Sequence, residues 1–246
     1  MDQSINFKKE PLGDGVFINV SRHHTFGTDA VLLSNFANAK AKDKLVDLGT
    51  GCGIIAFLML RDKKCQTAYG VDISSEAIDL ASLSAQENNF DNFTAICSDL
   101  KDLKDKVPFG GHTLVTCNPP YKAAGAGITN PDSVDRTARH ETECTLKDII
   151  AVSARLLQTG GRLCMCQRPE RLSELMCTMS RYKIEPKRLR LVCKRPNTAP
   201  WLVLVEGRRC GNTGLTIEPN LYVEDENGNF SPEMVKIYGK YKEAYL

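Results

Sequence analysis

The chain has no run of about 18 apolar residues, so its sequence offers no ordinary membrane-spanning helix. Residues 1–12 carry Asp2, Lys8, Lys9 and Glu10 without an apolar segment, so they do not read as a secretory signal, and a cytoplasmic location is expected. No C-x-x-C occurs among the 10 cysteines, and the 4 histidines hold no metal spacing with them, so no metal is expected. The only close cysteine pair is the C-x-C of Cys164 and Cys166, which strand alternation would set on one face as core neighbours. Cys97, Cys117, Cys164, Cys166 and Cys193 lie in apolar runs and read as reduced, space-filling thiols. Internal repeats and low-complexity tracts are also missing.

What is there suits an enzyme-sized domain. The 246 residues, 42% hydrophobic and 25% charged, fit one large domain with at most a small addition. The net charge of +2 hides an uneven distribution. Between residues 160 and 215 twelve Lys and Arg face Glu170, Glu174, Glu185 and Glu206, a local charge of +8 that leaves 2 − 8 = −6 for the rest. That stretch reads either as an anion-facing surface or as a solvated face.

Short β-rich apolar runs at 45–48, 68–73, 93–97, 113–117, 161–167, 188–193 and 201–206 alternate with helical patterns at 53–61, 75–88, 145–157 and 169–180. This alternation predicts an α/β fold with a seven-stranded, doubly wound parallel sheet and crossover helices. Ser74 and Ser75 suit the start of the second helix, and Gly160-Gly161 suits the turn after the third in that region, ahead of the next strand. Residues 122–143, with Gly125, Gly127, Asn130, Pro131 and Asp132, have neither period and read as a long functional loop. Beyond Gly207, Leu215-Thr216-Ile217, Leu221-Tyr222-Val223 and Glu226-Asn227-Gly228-Asn229 suggest a small C-terminal hairpin with an Asn-Gly turn.

The strongest local signal is Leu45-Val46-Asp47-Leu48-Gly49-Thr50-Gly51-Cys52-Gly53, a strand that enters a glycine loop and then an apolar helix. Glycines there let backbone N–H groups approach a ligand closely. A nicotinamide dinucleotide fingerprint beginning at Gly49 would need Gly or Ala at Ile54, and that test fails. Asp72 falls at the end of the next strand, 19 residues after Gly53, where a carboxylate can accept the hydroxyl hydrogens of a ribose; the alternative is a helix cap. Past the fourth strand lies Asn118-Pro119-Pro120-Tyr121, stiffened by its two prolines. In an open α/β sheet, Gly49, Asp72 and Asn118 all fall at the carboxyl ends of strands and face one crevice. The glycine loop, Asp72 and this tetrapeptide together resemble the class I methyltransferases, which implies an acceptor such as an exocyclic adenine amine, a poor nucleophile because its lone pair is delocalised into the ring. If the Asn118 side-chain oxygen and the Pro119 carbonyl each accept one of its N–H groups, the lone pair is aimed at a methyl donor without a strong base. Tyr121 offers a face on which an extruded base could stack.

The D-x-G-x-G-x-G loop with Asp72 and Asn-Pro-Pro-Tyr resembles the class I S-adenosylmethionine-dependent methyltransferases from about residue 25 to 207. Nearly the full chain is similar to the bacterial tRNA1(Val) (adenine-37-N6)-methyltransferase family. That likeness includes Thr28-Asp29, Ala138-Arg139-His140-Glu141, Gly160-Gly161-Arg162, Arg168-Pro169-Glu170-Arg171-Leu172, Lys187-Arg188-Leu189-Arg190 and Ile237-Tyr238. The resemblance implies a Rossmann-like methyltransferase domain at 25–207, with an N-terminal extension at 1–24 and a C-terminal one at 208–246. It implies S-adenosylmethionine as cofactor, held by Thr28, Asp29, Asp47, Gly49, Gly51, Gly53, Asp72, Ile73, Asp99 and Asn118, although Asp99 also reads as a helix N-cap and Thr28 as a helix start. It implies Asn118, Pro119 and Tyr121 as catalytic residues, and Pro120 and Arg139 against an RNA substrate, where the +8 stretch also sets Arg188 and Arg190, with the protein expected as a monomer or weak dimer. The same tetrapeptide suits the side-chain amide of protein glutamine, as in release-factor methyltransferases, but those carry an N-terminal helical domain and only 46 residues precede Asp47 here. Ribosomal RNA, DNA and a non-catalytic RNA-binding scaffold are the remaining alternatives.

Overall fold

The computed structural model describes residues 7–119 and 144–243. It opens with strands β1 (Phe7–Gly13) and β2 (Val16–Ser21), an antiparallel hairpin turned by Asp14 and Gly15, both at positive φ. Right-handed strand twist favours such a turn, and the Asp-Gly pair was its signal in the sequence. The hairpin lies outside the seven expected strands.

The chain continues through α1 (Thr28–Ala37), β3 (Lys44–Leu48), α2 (Ile54–Arg61), β4 (Thr67–Asp72), α3 (Ser75–Glu87), β5 (Phe93–Cys97) and β6 (His112–Cys117). After the undescribed segment come α4 (Leu146–Leu156), β7 (Leu157–Gln167), α5 (Leu172–Arg181), β8 (Ile184–Cys193) and β9 (Pro200–Arg209). The last elements are β10 (Thr216–Ile217), β11 (Leu221–Tyr222) and α6 (Pro232–Glu243). All seven expected strands form, and they make one sheet in the order β8-β9-β7-β6-β3-β4-β5. Neighbours from β7 to β5 run parallel, while β9 runs antiparallel to both β7 and β8. The doubly wound α/β reading therefore holds, with the correction that the sheet is mixed rather than parallel throughout. Each face carries its own apolar layer, one built around Ile54, Phe57 and Cys164, the other around Val46, Val115 and Met165. Strands covered on both faces bury continuous apolar runs, which is why these segments lack strict alternation.

Two local expectations change. Gly160-Gly161 does not form a turn between helix and strand: β7 begins at Leu157, directly after α4, and the glycines sit where its register against β6 shifts between His112 and Leu114. The C-terminal hairpin is replaced by β10 and β11 lying end to end along the edge of β8, both parallel to it, with Thr216 opposite Arg188 and Leu221 opposite Val192. The Asn-Gly turn closes only a single bridge, Glu224 to Phe230, ordered by the Asp225 carboxylate, which accepts the N–H groups of Asn227 and Asn229. Helix α3 starts as expected, with the Ser74 hydroxyl accepting the Ala77 N–H. Among the described residues no helix is long and apolar enough to cross a membrane.

Candidate active site

From β3 the chain moves outward to β4 and β5, then returns to the other side of β3 to make β6. The strand order reverses between β3 and β6, and in open α/β sheets that point leaves a crevice at the carboxyl ends. The glycine loop leaves β3 on one side of it and Asn118 leaves β6 on the other, with Leu48 opposite Cys117.

The loop is folded by backbone geometry and by two acids. Gly49, Gly51 and Gly53 all have positive φ. At Gly51 nothing lies within 4 Å of where a Cβ would stand, so backbone and ligand can approach there; at Gly53 a Cβ would meet the Phe57 ring at 2.5 Å. Gly49 and Thr50 donate their N–H groups to the Val71 carbonyl on β4, at 2.8 and 2.9 Å. Asp47 is fully buried beneath the loop: one oxygen accepts the Thr50 hydroxyl at 2.7 Å and the other the Thr116 hydroxyl of β6 at 2.6 Å. Burial pushes its carboxyl up to about 6, against the pull of those hydroxyls, which favour the ionised form. Asp47 thus ties β3, the glycine loop and β6 together. Neither Thr50 nor Thr116 stood out in the sequence, although Thr116 lies directly opposite Asp47 in the ladder.

Asp72 ends β4 half-buried and joins two elements of the crevice. One oxygen accepts the Gly51 N–H and the other the Ser74 N–H, each at 2.9 Å. Ionised carboxylates carry about four acceptor positions, so two N–H bonds leave room for ribose hydroxyls. Next to it Ile73 is 42% exposed, an apolar surface beside the acid. Asp99 caps the short 3-10 turn Leu100–Asp102 by accepting the Lys101 N–H at 2.8 Å, the capping role that the sequence left open.

At the end of β6 the Asn118 side-chain oxygen accepts the Cys166 thiol at 3.0 Å. This contact orients the amide at the end of the strand. Pro119 is buried; Pro120, Tyr121 and Arg139 lie outside the described residues. Cys164 and Cys166 share a face and are fully buried, and burial raises the thiol pKa of Cys164 and of Cys117. In Cys52 and Cys65 burial pushes it up to about 12. Such thiols stay protonated and pack as small hydrophobes.

Thr28 is the first residue of α1, with Gly27 rather than Thr28 at the cap, and its hydroxyl is bonded to the Tyr238 hydroxyl at 2.9 Å. One oxygen of Asp29 accepts the Ala30 N–H at 2.9 Å.

The two arginines expected against substrate are turned inward. Arg188 donates to the Phe36 carbonyl and lies over the Phe36 ring at 4.2 Å, with Glu218 at 3.2 Å and buried Glu206 at 3.5 Å. Arg190 forks both oxygens of Glu233 at 2.7 Å and donates to the Pro219 carbonyl. Both therefore bind the C-terminal segment to the sheet, and their long-range partners could not be read from local sequence. Strand direction also divides the +8 stretch. Arg168, Lys194, Arg195 and the single tryptophan, Trp201, fall at the carboxyl end with Asn118, whereas Arg181, Lys183, Arg208 and Arg209 fall at the opposite end. Arg168 lies 5.8 Å from the centre of the Trp201 ring and donates to the Trp201 carbonyl.

The chain matches the family model of the methyltransferase small domain over residues 14–180. The tRNA1(Val) (adenine(37)-N6)-methyltransferase of Parabacteroides distasonis is 30% identical over 186 residues, 73% of this chain and 75% of the relative. Its namesake from Porphyromonas gingivalis is 28% identical over 221 residues, 86% of each chain. A solved structure, a predicted O-methyltransferase from Agrobacterium tumefaciens, superposes with a TM-score of 0.68 at 19% identity, covering 87% of this chain and 97% of that one, a likeness of fold.

Proposed function

The chain belongs to the methyltransferase small domain family, and within it to the tRNA1(Val) (adenine(37)-N6)-methyltransferases, and from that membership we propose that it methylates N6 of adenine 37 in tRNA. The observation that carries this reading is Asn118 across the switch point from the glycine loop and Asp72, in one crevice.

The crevice fits S-adenosylmethionine. The open approach at Gly51 and the two remaining acceptor positions of Asp72 suit a ribose with no pyrophosphate to neutralise, and exposed Ile73 suits the flat face of a base. Gly49, Gly51, Gly53, Asp72 and Ile73 would hold the nucleoside, with Thr28, Asp29 and Asp99 around it and Asp47 acting from beneath the loop. When bound, the cofactor supplies a methyl group activated by its sulfonium. Asn118 and the Pro119 carbonyl accept the two N–H bonds of the adenine amine and orient its lone pair. As the C–N bond forms the S–CH3 bond would break and leave a neutral thioether; the amine would become positive, be stabilised by the same two acceptors, and pass one proton to solvent water. Preorganised acceptors make a strong base unnecessary. Tyr121, Pro120 and Arg139, outside the described residues, are proposed to contact the base. Among the described cations, Arg168, Lys194 and Arg195 are better placed to meet RNA phosphates than Arg188 and Arg190, because they share the carboxyl edge with Asn118.

The test incubates the protein and methyl-labelled cofactor with unmodified tRNA, ribosomal RNA and release factor side by side. Label is expected in tRNA as N6-methyladenosine, and to disappear with Asn118→Ala while cofactor affinity stays within about threefold. Label in the release factor, or in ribosomal RNA alone, overturns the substrate.

A further inference from the structure

We infer that Tyr238 of the C-terminal helix is a positioning residue for the cofactor: its bond to Thr28 latches the loop between β2 and α1 over the nucleoside crevice. The inference rests on the cofactor reading above.

Residues 22–27 join β2 to α1 at the carboxyl end of the sheet, and they are tied at both ends. At the first end the His24 Nε2 lies 3.0 Å from the Ser74 hydroxyl, and the Ser21 hydroxyl donates to Glu76 at 2.6 Å. Ser74 is the residue whose N–H is held by Asp72. This end of the loop is therefore one residue removed from the ribose acid. At the other end Gly27, at the N-cap, has no side chain to cap α1, and the Thr28 hydroxyl is bonded to the Tyr238 hydroxyl at 2.9 Å.

Tyr238 is itself held firmly. Its ring stacks on Phe230 at 5.3 Å and 26° and meets Tyr241 at 5.5 Å, which in turn meets Phe26 of the loop at 6.1 Å. Gly239, with φ 39° and ψ −120°, breaks α6 directly after Tyr238, and such a residue lets the chain turn where a Cβ would resist. Upstream, the Ser231 hydroxyl accepts the Met234 N–H and donates to the Tyr222 carbonyl, while Arg190 forks Glu233. The C-terminal segment leaves the sheet along β8, at the far side from α3, and returns to the start of α1. That path anchors the loop to the sheet edge through a chain of named contacts. A loop fixed at both ends has less conformational entropy to lose when it closes on a ligand.

The test uses the full chain with Tyr238→Phe, which keeps the ring stack and removes one hydroxyl, and Thr28→Val, which keeps the shape of the partner. Titration with S-adenosylmethionine should show the dissociation constant rising about 3- to 10-fold in each variant, the range expected for one hydrogen bond. The double variant should lose no more than Thr28→Val alone, because that substitution has already removed the bond that Tyr238→Phe removes. In Tyr238→Phe, kcat at saturating cofactor should stay within about twofold, so the effect appears in KM for the cofactor. Amide exchange over residues 22–28 should quicken in Tyr238→Phe with no cofactor present, a readout independent of binding. Wild-type affinity and wild-type exchange in Tyr238→Phe, or additive losses in the double variant, overturn the latch. Failure of the unaltered protein to bind S-adenosylmethionine overturns the cofactor reading, and the latch with it.

Discussion

Asp47→Asn should abolish a pH dependence of stability that the fold builds in. In the folded chain the carboxyl titrates near 6 against an ordinary 3.8, because burial under the glycine loop outweighs the hydroxyl bonds from Thr116 and Thr50. Between those two values the native state holds a proton that the unfolded state has released. Stability therefore falls as pH rises from about 4 to about 6, and the full penalty is present above that window. At 1.36 kcal/mol per pH decade, a gap of about 2.2 corresponds to about 3 kcal/mol. For a chain of this size that is roughly 6–12 °C in melting temperature. Asparagine has the same shape and no titration, so its own packing cost shifts the whole curve without adding a slope in this window. Thermal unfolding of both proteins, followed by circular dichroism from pH 4 to 7.5, reads the difference directly. The wild type should lose stability relative to Asp47→Asn across that window. Parallel curves would refute the argument and mean that the two hydroxyls cancel the desolvation of the carboxylate.

The Asp72→Ala substitution removes the acceptor shared by Gly51 and Ser74 as well as the expected ribose contacts, so calorimetry should show S-adenosylmethionine binding weakened by about 1.5–3 kcal/mol, roughly 10- to 150-fold. Equal affinity would remove Asp72 from the cofactor site. With Arg190→Ala the expected loss is about 1 kcal/mol of stability, since Glu233 is partly exposed, and the log–log salt slope of RNA binding should stay unchanged. A slope lower by about 1 would return Arg190 to the RNA surface.

How much of this was legible depended on the range of the interaction. The seven strands and the glycine loop rest on local periodicity and on residues that tolerate positive φ, so they could be read within windows of ten residues. A two-residue strand has no period, which is why β10 and β11 looked like the arms of a hairpin; only the edge of β8, some 30 residues earlier, determines that they lie end to end. Arg188 and Arg190 looked like an RNA surface because charge counting is blind to partners. Phe36 lies 152 residues before Arg188, and Glu233 lies 43 after Arg190. Charge that strand direction sends to opposite ends of a sheet cannot act as one patch, however dense it is in sequence.

The two aspartates that frame the glycine loop show the same division at the scale of one site. Both were expected at the cofactor, Asp47 from the glycine-loop motif and Asp72 from its place at the end of the next strand, yet Asp47 precedes the end of its strand and Asp72 ends its own. One residue of strand beyond Asp47 is enough to place its carboxylate between the layers, opposite Thr116 and fully buried. Asp72, where β4 stops, is only half-buried and holds Gly51 with one carboxylate oxygen and Ser74 with the other. The first acid therefore acts through the loop, by fixing the geometry that Gly49 and Gly51 present, whereas the second is the one proposed to meet the ligand. Their substitutions should separate accordingly: Asp47→Asn should change stability and its pH dependence with little effect on cofactor affinity, and Asp72→Ala should weaken cofactor binding. A large loss of affinity in Asp47→Asn at pH 7, with its stability unchanged, would assign Asp47 a direct contact and reverse that order.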